Sequence, residues 1–204
     1  MPLAQKRRLS TDARREQLLA AGAQLLAERP YNEVSIEEIA GAAGVSKGLL
    51  YHYFPTKKDF VIAAIERGES ELAELLAPDP ELPPAARLAA GLDRFLEFVE
   101  SHEAAYSVIF RSRGGGDPDI QARLDAARDQ RMEAMIEALA DGEDGPFGLE
   151  RTPVLEAAVQ GWFFFVEGAV LSWLDEGKIG REQLRELLAQ ALLGSLQAAG
   201  AVDG

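Results

Sequence analysis

Apolar residues recur at helical spacing along almost the whole chain, and the alternation that marks a strand is nowhere sustained. Leu18, Leu19, Gly22, Leu25 and Leu26 set a stripe over residues 12–28, closed by Arg29-Pro30. Ser35 and Glu38 have capping-box spacing, so a second helix starts at Ile36, turns Ile36, Ile39 and Ala40 inward and ends near Ala43. A third follows Ser46, with Leu50 and Phe54 on its inner face. From Thr56 a longer helix runs past Phe60, Ile65 and Leu72 until PDPELPP breaks it, and Leu88, Leu92, Phe95, Leu96 and Val99 mark the next. A shorter helix follows Ser101 to about Arg111. Asp117-Pro118 and Thr152-Pro153 read as N-cap and first helical position of two more, the first reaching Ala140, and a last helix occupies 181–199. The pattern predicts an all-α protein of about nine helices.

The segment SIEEIAGAAGVSKGLLYHYFPTKKD, residues 35–59, carries the most specific information. Two short helices flank Gly44, which supplies the left-handed backbone a side chain resists, and Ser46 caps the second helix. This is the spacing of a helix-turn-helix, in which the N-terminal residues of the second helix meet base edges in the major groove. Those residues are Ser46, Lys47, Gly48 and Leu49, and Gly48 allows the backbone to approach a duplex closely. Ser35, Tyr51, His52, Tyr53 and Lys57 complete the expected DNA-binding set as donors for phosphates, with Lys57 and Lys58 in the first turn of the following helix, where backbone N–H groups also favour an anion.

VSKGLLYHYFPTKKDF resembles the signature of the TetR family of bacterial transcription regulators, and residues 12–60 resemble that family's N-terminal domain throughout. The resemblance implies an all-helical homodimer. A three-helix DNA-binding domain would occupy residues 1–60, with Lys6, Arg7 and Arg8 in an N-terminal arm beside the DNA or, alternatively, in an ordinary charged tail, and an effector-binding and dimerisation domain residues 61–204. It further implies a regulator, read here as a repressor released from a palindromic operator on double-stranded DNA by a small hydrophobic effector. The alternative is a DNA-bound adaptor working through a protein partner.

Net charge is −13, which alone argues against nucleic acid, but its distribution removes the objection. Residues 1–60 hold nine Lys/Arg against seven Asp/Glu, whereas residues 61–204 hold twelve against twenty-seven. The field at the contact face governs binding, so a basic head on an acidic body is workable. There is no cysteine, and no apolar run follows the N-terminal charges, so the expected location is cytoplasmic without a secretory signal. Residues 157–174 are nearly apolar, but they contain Gln160 and Glu167 and are short for a bilayer, so no membrane partner is expected.

The helix around residues 157–174 is apolar nearly all round and must be covered on every side. With Leu184, Leu187, Leu188, Ala191, Leu192 and Ser195 of the last helix it is expected to form an intersubunit four-helix bundle, centred on Trp173, Leu184, Leu188 and Leu192. The alternative is that both helices complete the core of a single chain. Aromatics cluster as well. Trp162, Phe165, Val166 and Ala169, with Phe95, Phe98, Tyr106 and Phe110, are the expected walls of an apolar effector cavity, with Arg94, Arg111 or Arg113 and Gln160 or Glu167 as polar anchors. Core packing is the competing account of each.

Catalysis is not expected. His52 lies in the reading helix and His102 at a helix junction, neither with a second ligand at metal spacing, so no metal or other cofactor is implied. Gly114–Gly116 is preceded by no strand and followed by no Lys-Ser/Thr pair, so it reads as a loop rather than a phosphate cradle.

Overall fold

The computed structural model describes residues 10–29, 33–111, 117–140 and 149–200. Lys6, Arg7 and Arg8, the glycines at 114–116, Arg113 and the connector at 141–148 lie outside them, as does the side chain of Arg111. Among the described residues there are helices and no strands: α1 (Thr11–Glu28), α2 (Ile36–Ala42), α3 (Lys47–Tyr53), α4 (Lys57–Leu75), α5 (Pro84–Ser101), α6 (Glu103–Arg111), α7 (Pro118–Leu139), α8 (Pro153–Glu176) and α9 (Arg181–Ala198).

Several of these helices start at a short capping side chain. Ser10 Oγ accepts from the Ala13 N–H, Asp117 from Asp119 ahead of Pro118, and Thr152 Oγ1 from Leu155 ahead of Pro153. At α2 the capping box is complete: Glu38 N–H donates to Ser35 Oγ at 3.2 Å, and Ser35 N–H donates to Glu38 Oε2 at 2.8 Å. The same reciprocity recurs at α4, where Thr56 N–H donates to Asp59 Oδ2 at 2.9 Å and Asp59 N–H to Thr56 Oγ1 at 3.1 Å.

The chain divides into two compact units, Met1–Gly68 and Glu69–Gly204, with the boundary inside α4. The first is built on Leu18, Leu19, Ile39, Leu50, Phe54 and Phe60, all buried. Phe54 and Phe60 meet edge to face with centroids 5.0 Å apart, which joins the end of α3 to the first turn of α4. Gly22 makes room for that ring, since a Cβ on it would stand 2.3 Å from Phe60 Cζ.

In the second unit α8 packs on α7, α6 and α9, and α9 packs on α5. Leu155, Val159, Trp162, Val166 and Val170 are the buried stripe of α8. That helix is long and apolar enough to cross a membrane by length and composition, and it also supplies much of this unit's core. One expectation is corrected here. Leu184, Leu188 and Leu192 are 0, 0 and 2% exposed within a single chain, so they have no surface left for a second copy. Trp173 is half-buried against the same core and donates its indole N–H to the Ile179 carbonyl. The large apolar side chains that α8 and α9 leave exposed are Val154, Phe164, Phe165, Leu187 and Leu193.

Candidate functional site

The turn between α2 and α3 is held by backbone bonds that need a left-handed residue. Gly44 has φ +64°, its N–H donates to Gly41 O at 3.0 Å, and Val45 N–H reaches back to Ala40 O at 3.0 Å. Ser46 then accepts from Leu49 N–H at 3.2 Å and starts α3. Leu50 and Phe54 bury one side of this helix, which leaves Lys47, Gly48, Tyr51 and His52 exposed on the other and Leu49 and Tyr53 half-buried at the margins. His52 and Tyr53 meet edge to face at 5.4 Å. A short helix thus presents donors outward from a fixed apolar anchor.

Two expected contacts have internal duties. Ser35 caps α2, and its hydroxyl also donates to Glu38 Oε2 at 2.7 Å. Lys57 is half-buried and donates through Nζ to the Val34 carbonyl at 2.7 Å, so at least one of its ammonium hydrogens holds the chain ahead of α2. The N-terminus of α4 already has an anion of its own in Asp59, which shares the first turn with Lys57 and Lys58.

Sequence spacing did not disclose the charge pairs of this head. Lys47 Nζ bonds to Glu37 Oε1, from the first residue of α3 to the first turn of α2, and lies 5.7 Å from the centroid of the Tyr51 ring. The hydrogen bond from Lys47 pulls the Glu37 carboxyl below its ordinary pKa, and the same bond raises Lys47 above its own. Glu38, held by Ser35 and then by Arg29 at 2.7 Å, is lowered to about 2. Pairs nine and ten residues apart, across breaks between helices, follow no helical periodicity, so only the fold brings them together.

In the second unit the expected cavity walls divide. Tyr106, Trp162 and Val166 are buried in one cluster, with Phe95, Phe110 and Ala169 packed against it. Phe95 meets Tyr106 at 6.3 Å, and Tyr106 meets Phe110 at 4.3 Å. Phe98 stands apart, stacked on His102 at 4.2 Å, because its position on α5 turns it toward the α5–α6 junction. Phe165 is 41% exposed, and neither it nor Phe98 belongs to the cluster. Of the proposed anchors, Gln160 is exposed, and Arg94 donates to the Ala77 carbonyl at 3.3 Å. A better-buried cation is Arg131, which pairs with Glu69. Burial holds Arg131 below the usual arginine range, while Glu167 pulls the other way.

Residues 18–64 match the description "Bacterial regulatory proteins, tetR family", and residues 84–194 match "Tetracyclin repressor-like, C-terminal domain". The chain belongs to the TetR family. Over 135 residues it is 30% identical to the HTH-type transcriptional activator FasR of Mycolicibacterium smegmatis, a match spanning 65% of this chain and 62% of that protein. A crystal structure of a TetR-family regulator from Streptomyces coelicolor is 31% identical, with TM-score 0.81 over 96% of this chain and 85% of that one. AibR in complex with isovaleryl coenzyme A and operator DNA has the same fold at 22% identity, TM-score 0.62, over 86% of this chain and 96% of that one. As a TetR-family protein the chain is a DNA-binding transcriptional regulator and not an enzyme.

Proposed function

We propose that this TetR-family protein binds a near-palindromic operator as a homodimer, acts as a repressor, and leaves the DNA when a small, largely apolar effector binds the Glu69–Gly204 unit. The carrying observation is α3: Leu50 and Phe54 anchor it in the core while Lys47, Gly48, Tyr51 and His52 face outward. Among the described residues nothing requires a glycine at position 48, since a Cβ there would have no neighbour within 4 Å. A glycine within a helix costs stability relative to alanine, so its presence fits the close approach of another molecule, such as a sugar-phosphate backbone. Dimerisation is supported by Phe164, Phe165, Leu187 and Leu193, large apolar side chains left exposed on α8 and α9.

An effector is supported by the aromatic cluster of Tyr106 and Trp162 with Phe95 and Phe110, where α5, α6 and α8 converge. Paired reading helices must stand roughly 34–36 Å apart to enter successive major grooves. An effector that favours any other separation releases the DNA, and a coupling of about 1–3 kcal/mol corresponds to roughly 5–150-fold weaker operator binding. The sign of control depends on where the operator lies, and FasR is an activator by name, so release is the decisive observable.

The test is a footprint of purified protein on its own promoter region at near-physiological salt, repeated with acyl-CoA thioesters, free fatty acids and neutral lipophilic compounds. A protected near-palindrome lost on adding one of these is the expected result. No preference over random DNA would sink the operator reading. Protection that no compound relieves, without thermal stabilisation by any of them, would sink the effector.

A further inference from the structure

We infer that Glu37 is a specificity-determining residue of the DNA-binding head: it pairs with the Lys47 ammonium so that the pair is neutral toward phosphates while the ammonium stays aimed at base acceptors. The inference rests on the DNA-binding reading of α3. Lys47 is the only lysine or arginine of that helix, and its ammonium is bound by the Glu37 carboxylate. Both side chains are about half exposed or more, at 50% and 59%, so the pair sits on the surface that a duplex would meet. The Tyr51 ring, 5.7 Å from the ammonium, fixes it from a second direction.

Three consequences follow from the placement of Glu37. In a helix-turn-helix the first helix crosses the sugar-phosphate backbone, so a carboxylate in the first turn of α2 lies in a strongly negative field. Lys47 and Glu37 together carry no net charge, and a phosphate gains little from meeting them. An ammonium has three donors, however, and one bond to Glu37 leaves two for a pair of acceptors such as guanine O6 and N7. Sequence-independent attraction is thereby reduced at this point, while base readout is retained and oriented.

Other cations of the head are similarly engaged. Arg29 pairs with Glu38 at 2.7 Å, Arg67 with Glu16 at 3.1 Å, and Lys57 with the Val34 carbonyl. Lys47 differs from these in standing at the tip of the reading helix, where the exchange of one partner for another changes what the helix reads.

The experiment selects duplexes from a randomised pool with the wild-type protein, then measures affinity for the selected duplex and the unselected pool across a salt series. The variants are Glu37→Gln, Lys47→Gln and the double substitution. Glu37→Gln should strengthen binding to the unselected pool by roughly 1.5- to 5-fold per subunit, the range of an exposed ion pair. Its salt slope on that pool should steepen by about 0.9 per subunit, one added phosphate contact. Affinity for the selected duplex should stay level or fall, so discrimination drops. In the Lys47→Gln background, Glu37→Gln should leave discrimination unchanged, since relief of the repulsion between the carboxylate and the phosphates acts alike on the selected duplex and the unselected pool. Unchanged discrimination in Glu37→Gln overturns the proposal, as does an equal effect of Glu37→Gln with and without Lys47, which would make Glu37 a base reader in its own right. If the wild type enriches no sequence, the DNA reading itself fails and the proposal with it. Circular dichroism on each variant verifies that the helices remain.

Discussion

The indole N–H of Trp162 donates to the Leu188 carbonyl at 2.8 Å, a buried bond from α8 onto the backbone of α9. It helps fix the rotation of α9, so that Leu184, Leu188 and Leu192 face the chain's own core and Leu187 faces out. Opposite outcomes follow for neighbouring residues. Leu188→Glu should cost about 3–5 kcal/mol of folding stability, because a carboxylate is forced into the apolar core. Leu187→Glu, at a position 47% exposed, should change the stability of the single chain by no more than about 0.5 kcal/mol. Combined with Phe165→Glu it should instead abolish the dimer. Urea unfolding and sedimentation equilibrium separate the two, and a dimer that survives both surface charges would refute the proposed interface.

Gly22 and Phe60 are packed more closely than any side chain at position 22 permits. In Gly22→Ala the new methyl would meet the Phe60 ring, which is fully buried and has its edge on Phe54. Overpacking should cost about 1–3 kcal/mol, more than the roughly 1 kcal/mol that alanine gains in helix propensity. Thermal unfolding of Gly22→Ala should show the loss, and adding Phe60→Leu should recover part of it by removing the ring atoms nearest the methyl.

Gly48→Ala should act in the reverse sense. Helix propensity gains up to about 1 kcal/mol and the methyl meets none of the described residues, so the melting temperature should hold or rise. Operator affinity should nevertheless fall if, as proposed, α3 approaches the duplex at this position. A variant that is more stable and binds DNA equally well would show that position 48 is not at the interface.

Acid should loosen the start of α2 in a defined window. Glu38 has its pKa depressed from 4.5 to about 2 by Ser35 and Arg29, so its contribution is fully present above about 4.5 and is lost as pH falls toward 2. The difference in melting temperature between wild type and Glu38→Gln should therefore be constant at neutral pH and shrink through that interval. Because the group is exposed, added salt should reduce the difference as well. A gap that persists unchanged to pH 2 would mean that the carboxylate's charge contributes nothing.

The helices and their ends were legible because their causes are local. Ser35 with Glu38, Asp117 with Pro118, Thr152 with Pro153 and Gly44 at a left-handed turn each act within a few residues, and the structure places α2, α7, α8 and the turn accordingly. The orientation of α3 was equally legible, since Leu50 and Phe54 fix its inner side by spacing alone and leave Lys47, Gly48 and Tyr51 outside.

Which neighbour covers each apolar face was not legible. The leucine seam of α9 has the same spacing whether it meets another subunit or α5 and α8 of its own chain, and the fold assigns Leu184, Leu188 and Leu192 to the latter. Periodicity likewise could not tell Phe165, turned outward, from Val166, turned inward one residue later on a helix apolar all round. The pairs Lys47 with Glu37 and Arg131 with Glu69 depend on the placement of separate helices. Sequence determined the elements, their caps and the chemistry carried by α3, because those follow from interactions within one or two helical turns. Tertiary structure alone decided which side chains are enclosed and which charges meet, because burial and ion pairing depend on distances between segments that no local pattern encodes.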